Sequence, residues 1–175
     1  MKGKLNTPSD NWSIDGTVYN LKGKLYFLWS GWQNDKNGQQ NIYYIAKMKT
    51  PWTLVGERVR LSSPTLEWET HGDLKKQDDE AHVNVNEGPQ ILRNKDKLYL
   101  IYSASGCWTD YYALGMLSTL ISSNIMDSLS WKKSLQPVLK QSPETASMAP
   151  GIILFLNHQM VKKIGYCIMP IINRG

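Results

Sequence analysis

Cysteine is scarce in this sequence: two of 175 residues, Cys107 and Cys167, carry a thiol. They stand far apart, so no disulfide framework is implied. Cys107 has no His partner at a readable spacing, which argues against a thiol nucleophile. Phe is equally rare at two residues, and His numbers three. Long apolar runs are missing as well, and none approaches the ~18 residues of a membrane-spanning helix. The stretch from Met1 to Trp12 is polar and has no apolar segment of the secretory type. No phosphate-cradling glycine loop is present. These gaps exclude a disulfide scaffold and a membrane partner, and leave the location of the chain open.

What remains is enough for a packed core, because 41% of the residues are apolar. The net charge is +5. Its lysines are scattered rather than gathered into a stripe with interleaved aromatics, so a solvated surface is the reading and nucleic acid is not an expected partner. Seven Trp and nine Tyr dominate the aromatics. Each joins a flat apolar face to a polar tip, which suits sheet packing first and stacking on sugar rings second.

The chain repeats itself. Asp15-Gly16-Thr17-Val18 precedes Lys24-Leu25-Tyr26-Phe27-Leu28-Trp29-Ser30-Gly31-Trp32, and Glu87-Gly88-Pro89-Gln90 precedes Lys97-Leu98-Tyr99-Leu100-Ile101-Tyr102-Ser103. The two acids lie 72 residues apart and the two Lys-Leu-Tyr runs 73 apart. Between them the pattern predicts strands at 17–20, 24–30, 41–48 and 57–61, then at 89–93, 97–103, 111–117 and near Trp131, with turns at 20–23, 33–40 and 51–54 and a polar loop at 62–85. Four short strands per repeat with no amphipathic helix is an all-β pattern of the β-propeller kind.

Asp15 and Glu87 open equivalent strands, each beside a glycine that lets backbone approach a ligand closely. As ordinary turn residues they would carry no chemistry, since Asp-Gly is a turn dipeptide. Glu is not favoured in turns, and two carboxylates delivered by a repeating scaffold suit glycosidic-bond cleavage. Other candidates are thinner. Trp32 and Trp108 follow equivalent strands and suit either sugar stacking or capping of the core. His71 and His82 flank Asp73, Asp78, Asp79 and Glu80, but the spacings match no metal template, and a solvated loop is the simpler reading.

Taken together, Ser13-Ile14-Asp15-Gly16-Thr17-Val18, Val85-Asn86-Glu87-Gly88-Pro89, Tyr102 to Asp110 and Tyr112-Ala113-Leu114-Gly115 resemble glycoside hydrolase family 43, over roughly residues 11–151. The nearest branch is the α-L-arabinofuranosidases and exo-arabinanases. The resemblance implies a five-bladed β-propeller and an inverting hydrolase of arabinose- or xylose-containing polysaccharides such as arabinan and arabinoxylan. It implies Glu87 as general acid and Asp15 as the residue that raises the acid's pKa and orients it.

The same resemblance sets expectations about what is missing. The general base of the family sits one blade earlier, and no residue here matches it; Asp10 is only five residues before Asp15 and lacks a blade-start setting. An inactive chain is therefore expected, or, as an alternative, a non-catalytic carbohydrate-binding or scaffold remnant. The family phrase Gly-Pro-Gly-His stands here as Ala149-Pro150-Gly151-Ile152. The His associated with an axial calcium in some members is thus replaced, and no cofactor or metal is expected. Within one partial domain of 1–175, residues 14–86 and 87–147 read as successive blades and 148–175 as the start of another. After Gly151 the strand and turn pattern fades. A reading frame shifted by one base can restore a Ser-Pro-Asp-Gly turn and a Trp-Ile-Leu-Tyr strand, so residues 152–175 are expected to be frame-shifted.

Overall fold

The computed structural model describes residues 3–5, 7–8, 11–33, 41–72, 84–142, 153–157 and 164–168. Asp10, Asp73, Asp78, Asp79, Glu80, His82 and the 149–152 phrase lie outside these residues.

Each repeat folds into a four-stranded antiparallel sheet whose strands neighbour in chain order. The first contains β1 (Ser13–Leu21), β2 (Lys24–Gly31), β3 (Asn41–Thr50) and β4 (Thr53–Arg60). The second contains β5 (Asn86–Asn94), β6 (Lys97–Ala104), β7 (Ala113–Leu120) and the two-residue β8 (Lys132–Lys133). Both Lys-Leu-Tyr runs begin the second strand of their sheet. Lys22 and Lys95 turn the preceding hairpins with φ of 51° and 53°, the left-handed backbone that a tight hairpin turn requires.

Several strands run longer than their local pattern suggests. β1 and β5 start four and three residues earlier than expected because a bulge interrupts the apolar–polar alternation in each. β4 begins at Thr53, directly after a turn at Pro51 and Trp52, and β7 extends to Leu120. The end of the chain also differs from its sequence reading. β9 (Ile153–Asn157) and β10 (Ile164–Ile168) pair antiparallel, although no alternation marks them.

Alternation along β2 and β6 decides where the core sits. Tyr26 and Leu28 from β2 meet Leu98, Leu100, Tyr102 and Ala104 from β6, joined by Ile45, Leu117 and Trp131. The intervening residues face the other way: Trp29, with Phe27, Tyr44, Ala46 and Leu54, forms a cluster on the first sheet, and Ile101, with Leu114, Tyr99 and Met116, forms one on the second. One shared core therefore lies between the sheets, and each sheet carries a second apolar face.

The 62–85 connection is not only a polar loop. A 3-10 turn at Glu67–Glu69 places Glu69 at 0% exposure between the sheets. Its Oε1 accepts from the Tyr102 hydroxyl at 2.8 Å and the Asn86 amide at 3.1 Å. Its Oε2 accepts from the Thr65 and Leu66 N–H groups at 2.9 and 3.0 Å and from the Lys133 ammonium at 2.6 Å. Five donors make a buried charge tolerable where an unpaired one would not be. Burial pulls the Lys133 ammonium below its ordinary value, against the attraction of Glu69.

Removing this acceptor takes away five hydrogen bonds at once and leaves the largely buried Lys133 ammonium without its counter-charge, although the Ser63 carbonyl still accepts from it at 2.7 Å. Glu69→Ala is expected to cost about 3–5 kcal/mol in denaturant unfolding. The double variant Glu69→Gln/Lys133→Met should recover much of that loss, because it removes both charges together.

Candidate active site

The acids singled out by the repeat lie at the bulges. Strand register breaks between Ile14 and Thr17 in β1 and between Glu87 and Gln90 in β5. A bulge re-aims side chains that a flat strand would send alternately up and down. At Asp15 the backbone takes φ 55°. That left-handed conformation costs a non-glycine residue roughly 1–2 kcal/mol, though Asp tolerates it better than most. The strained residue has a partner across the sheets: Oδ2 of Asp15 accepts from the Gly88 N–H at 2.9 Å, 73 residues further on. Close by, the buried Ser30 hydroxyl donates to the Asn86 carbonyl at 2.6 Å. The first sheet thus grips the backbone on both sides of Glu87.

Glu87 itself is largely enclosed. Its Oε1 accepts from the Tyr112 hydroxyl at 2.6 Å. Burial pushes the Glu87 carboxyl above the usual carboxylate range, the Asp15 charge adds to the rise, and the Tyr112 hydrogen bond opposes it. The same pair acts on the phenol: burial and the neighbouring Glu87 carboxylate push Tyr112 far above the ordinary tyrosine value. Burial, helped by the Glu87 charge, also raises the Cys107 thiol. A carboxyl that keeps its proton more readily than usual, beside a second carboxylate, can serve as a proton donor.

The two glycines beside the acids have different reasons for being there. A Cβ on Gly16 would overlap the Phe27 ring, so this glycine serves packing on the outer face of the first sheet. Gly88 stands at φ 64° and presents its N–H to Asp15. Beside Asp15 a cleft of about 470 Å³ opens, lined by Trp12, Phe27, Trp29 and Lys4 among others.

The two candidate tryptophans part company. Trp32 packs against Trp12 with ring centroids 5.0 Å apart, and its buried ring nitrogen has no hydrogen-bond partner among the described residues. Trp108 lies beyond the end of β6, half exposed, with its ring over Gly106. His71 stacks on Tyr111 with ring centroids 3.9 Å apart, and its Nε2 lies 3.3 Å from the Glu67 carboxylate. Among the described residues no group of three or more His, Cys, Asp or Glu side chains is placed to hold a metal. No described helix is long and apolar enough to cross a membrane.

Comparison with known proteins decides the lineage. The model of glycosyl hydrolases family 43 matches residues 1–160. This chain belongs to that family. Among the relatives of this family 43 chain is an extracellular exo-alpha-(1->5)-L-arabinofuranosidase of Streptomyces avermitilis, 37% identical over 150 residues. An alpha-L-arabinofuranosidase 43 of Humicola insolens is 34% identical over 151 residues. The chain gives 86% of its own length to each of these matches and spans 29% of theirs. The crystal structure of an alpha-L-arabinofuranosidase from Lactobacillus brevis superimposes with a TM-score of 0.77 at 33% identity, covering 90% of this chain and 45% of that one. An endo-arabinase from Bacteroides thetaiotaomicron shares the fold, with a TM-score of 0.65 at 20% identity.

Tyr112 was visible in the family 43 motif Tyr112-Ala113-Leu114-Gly115 but had no role attached to it there. The position that the family links to calcium, Ile152, lies outside the described residues.

Asp15→Asn removes the charge beside Glu87 while leaving an acceptor for the Gly88 N–H. Because the Asp15 charge raises the Glu87 carboxyl, the variant is expected to titrate Glu87 at lower pH than the wild type. Carboxyl ¹³C NMR of the chain, with Glu87 assigned through Glu87→Gln, measures this shift.

Proposed function

We propose that the two sheets are successive blades of the family 43 propeller, about 14–86 and 87–147, with 148–175 contributing to another. The protein to which this chain contributes is an inverting glycosidase of the α-L-arabinofuranosidase type. Its substrates are arabinan, arabinoxylan or oligosaccharides derived from them. The observation that carries this reading is the joining of Glu87 to Asp15 through Gly88, at matching bulges of two repeated sheets.

The chemistry follows from that pair. Cleavage of a glycosidic bond needs a proton on the leaving oxygen as the bond to the anomeric carbon stretches. Glu87 supplies it, because burial and the Asp15 charge keep its carboxyl protonated to higher pH than an exposed one. Asp15 holds the acid in two ways. Its charge favours the protonated form, and its hydrogen bond fixes the backbone from which Glu87 projects. Inversion also needs a carboxylate across the sugar to activate water, and this role is assigned to no residue of the present chain. The cleft beside Asp15 offers Trp12 and Phe27 as apolar walls. Trp108 is the better placed of the two sequence candidates for sugar stacking, because half of it is exposed.

In a polypeptide that carries this segment and cleaves arabinofuranosides, Glu87→Gln is expected to lower turnover of polysaccharide about 10²–10⁴-fold. Aryl arabinofuranosides with good leaving groups should be largely spared, because they need little protonation. Steady-state kinetics on both substrate types checks this. Equal losses on both, or unchanged turnover of polysaccharide, would remove Glu87 from the role of acid.

A further inference from the structure

Glu87 and Tyr112 sit in different strands' neighbourhoods, and their contact is built by the register of the second sheet. Glu87 in β5 lies opposite Ser103 in β6, and Ser103 lies opposite Leu114 in β7. Tyr112 stands two residues before Leu114 and so shares its face. The two outer strands are about 9–10 Å apart, two strand spacings. Ser103, at 1% exposure, is the small residue between them. Only two long side chains reaching toward one another close such a gap, and Glu and Tyr do so with a 2.6 Å hydrogen bond.

The surroundings are dry. Tyr112 and Leu114 are each 1% exposed. A hydrogen bond to a carboxylate is stronger in such a place than in water. The phenol also keeps its proton, since burial and the Glu87 charge both resist its ionisation. Tyr112 is therefore a permanent donor to Oε1.

We infer that Tyr112 is a positioning residue: its hydroxyl, reaching across β6 to Oε1, holds the Glu87 carboxyl in one orientation. The catalytic part of this inference rests on Glu87 being the general acid. The titratable groups that interact with Glu87 include Asp15 from β1, Tyr112 itself and Cys107 in the preceding loop. β9, which also packs on β5, contains no titratable residue in Ile153–Asn157. Asp15 and Tyr112 thus pull Glu87 in opposite directions. An acid works best with a pKa near the working pH, so the balance between the two bears on how readily the proton is given up.

The test uses two substitutions of opposite sign. Tyr112→Phe keeps the ring and removes the donor. By carboxyl ¹³C NMR of the chain, Glu87 should then titrate about one pH unit higher than in wild type, because a group that stabilised the charged form is gone. Replacing Tyr112 with 3-fluorotyrosine, a more acidic phenol and a stronger donor, should move the titration the other way. Tyr111→Phe, at the exposed neighbour stacked on His71, should leave it in place. In a polypeptide that carries the segment and turns over polysaccharide, the alkaline limb of kcat/KM should follow these shifts: up for phenylalanine and down for fluorotyrosine. kcat should fall about tenfold or more in Tyr112→Phe, with KM little changed. A Glu87 titration that does not move in Tyr112→Phe, or that moves as far in Tyr111→Phe, overturns the inference whatever Glu87 does in catalysis. If the titration moves as stated but Glu87→Gln retains full turnover, the Tyr112–Glu87 link stands and the reading of Glu87 as the acid falls.

Discussion

The hydrogen bond from the Gly88 N–H to the Asp15 carboxylate links the two sheets at the point where their repeats begin. Its consequences run in both directions along the chain. Toward the first sheet, it offsets the left-handed backbone at Asp15, which the bulge in β1 demands and a flat strand would not tolerate. Toward the second, it fixes the backbone next to Glu87, so that this side chain leaves β5 at one angle. With the Ser30 to Asn86 bond beside it, the contact ties positions 56 and 73 residues apart in the chain. The apolar core between the sheets supplies most of the driving force for their association, but it is non-directional. These polar contacts determine the register in which the sheets meet.

Buried polarity is concentrated around the same junction. Glu69 bonds to Asn86, the residue before Glu87, as well as to Tyr102 and Lys133. Ser105 extends the arrangement: its hydroxyl accepts from the His71 N–H and donates to the Trp68 carbonyl. The connection between the sheets is thus fastened to the end of the second sheet where Glu87 emerges. Catalytic groups work only when the residues behind them cannot shift. Here the supporting shell is made from charge and hydrogen bonds rather than from further apolar packing.

Much of this was legible in the sequence, for a stated reason. The repeated Lys-Leu-Tyr runs and the paired acids are local patterns, and the strands they mark follow local rules; the bulges at the two acids were not read from the sequence. Asp15 and Glu87 were expected to share a site, and the structure brings them together through Gly88. The glycine beside each acid was read as room for a ligand; Gly16 instead makes room for Phe27, a cross-strand contact that the dipeptide does not reveal. Glu69 escaped notice, and Tyr112 was noted in a motif without a role, because their partners are distant in sequence. Glu69 meets Lys133 64 residues away, and Tyr112 meets Glu87 25 residues away. No spacing rule reports such pairs. The paired strands β9 and β10 were missed because their apolar runs do not alternate. Trp32 and Trp108 are equivalent in the repeat yet differ in setting, since the first sheet has Trp12 to cover its tryptophan and the second leaves Trp108 half exposed.

The junction can be measured directly at the Gly88 amide. Its hydrogen is held by a side chain from another sheet, not by a strand ladder, so its protection from exchange reports on the Asp15 contact alone. Native-state amide exchange on wild type and Asp15→Ala should show Gly88 strongly protected in the first and fast-exchanging in the second, while Leu100 and Leu117 in the shared core keep their protection. A Gly88 amide that exchanges freely in the wild type, or that stays equally protected without the Asp15 carboxylate, would contradict the claim that this bond holds the two acids in one site.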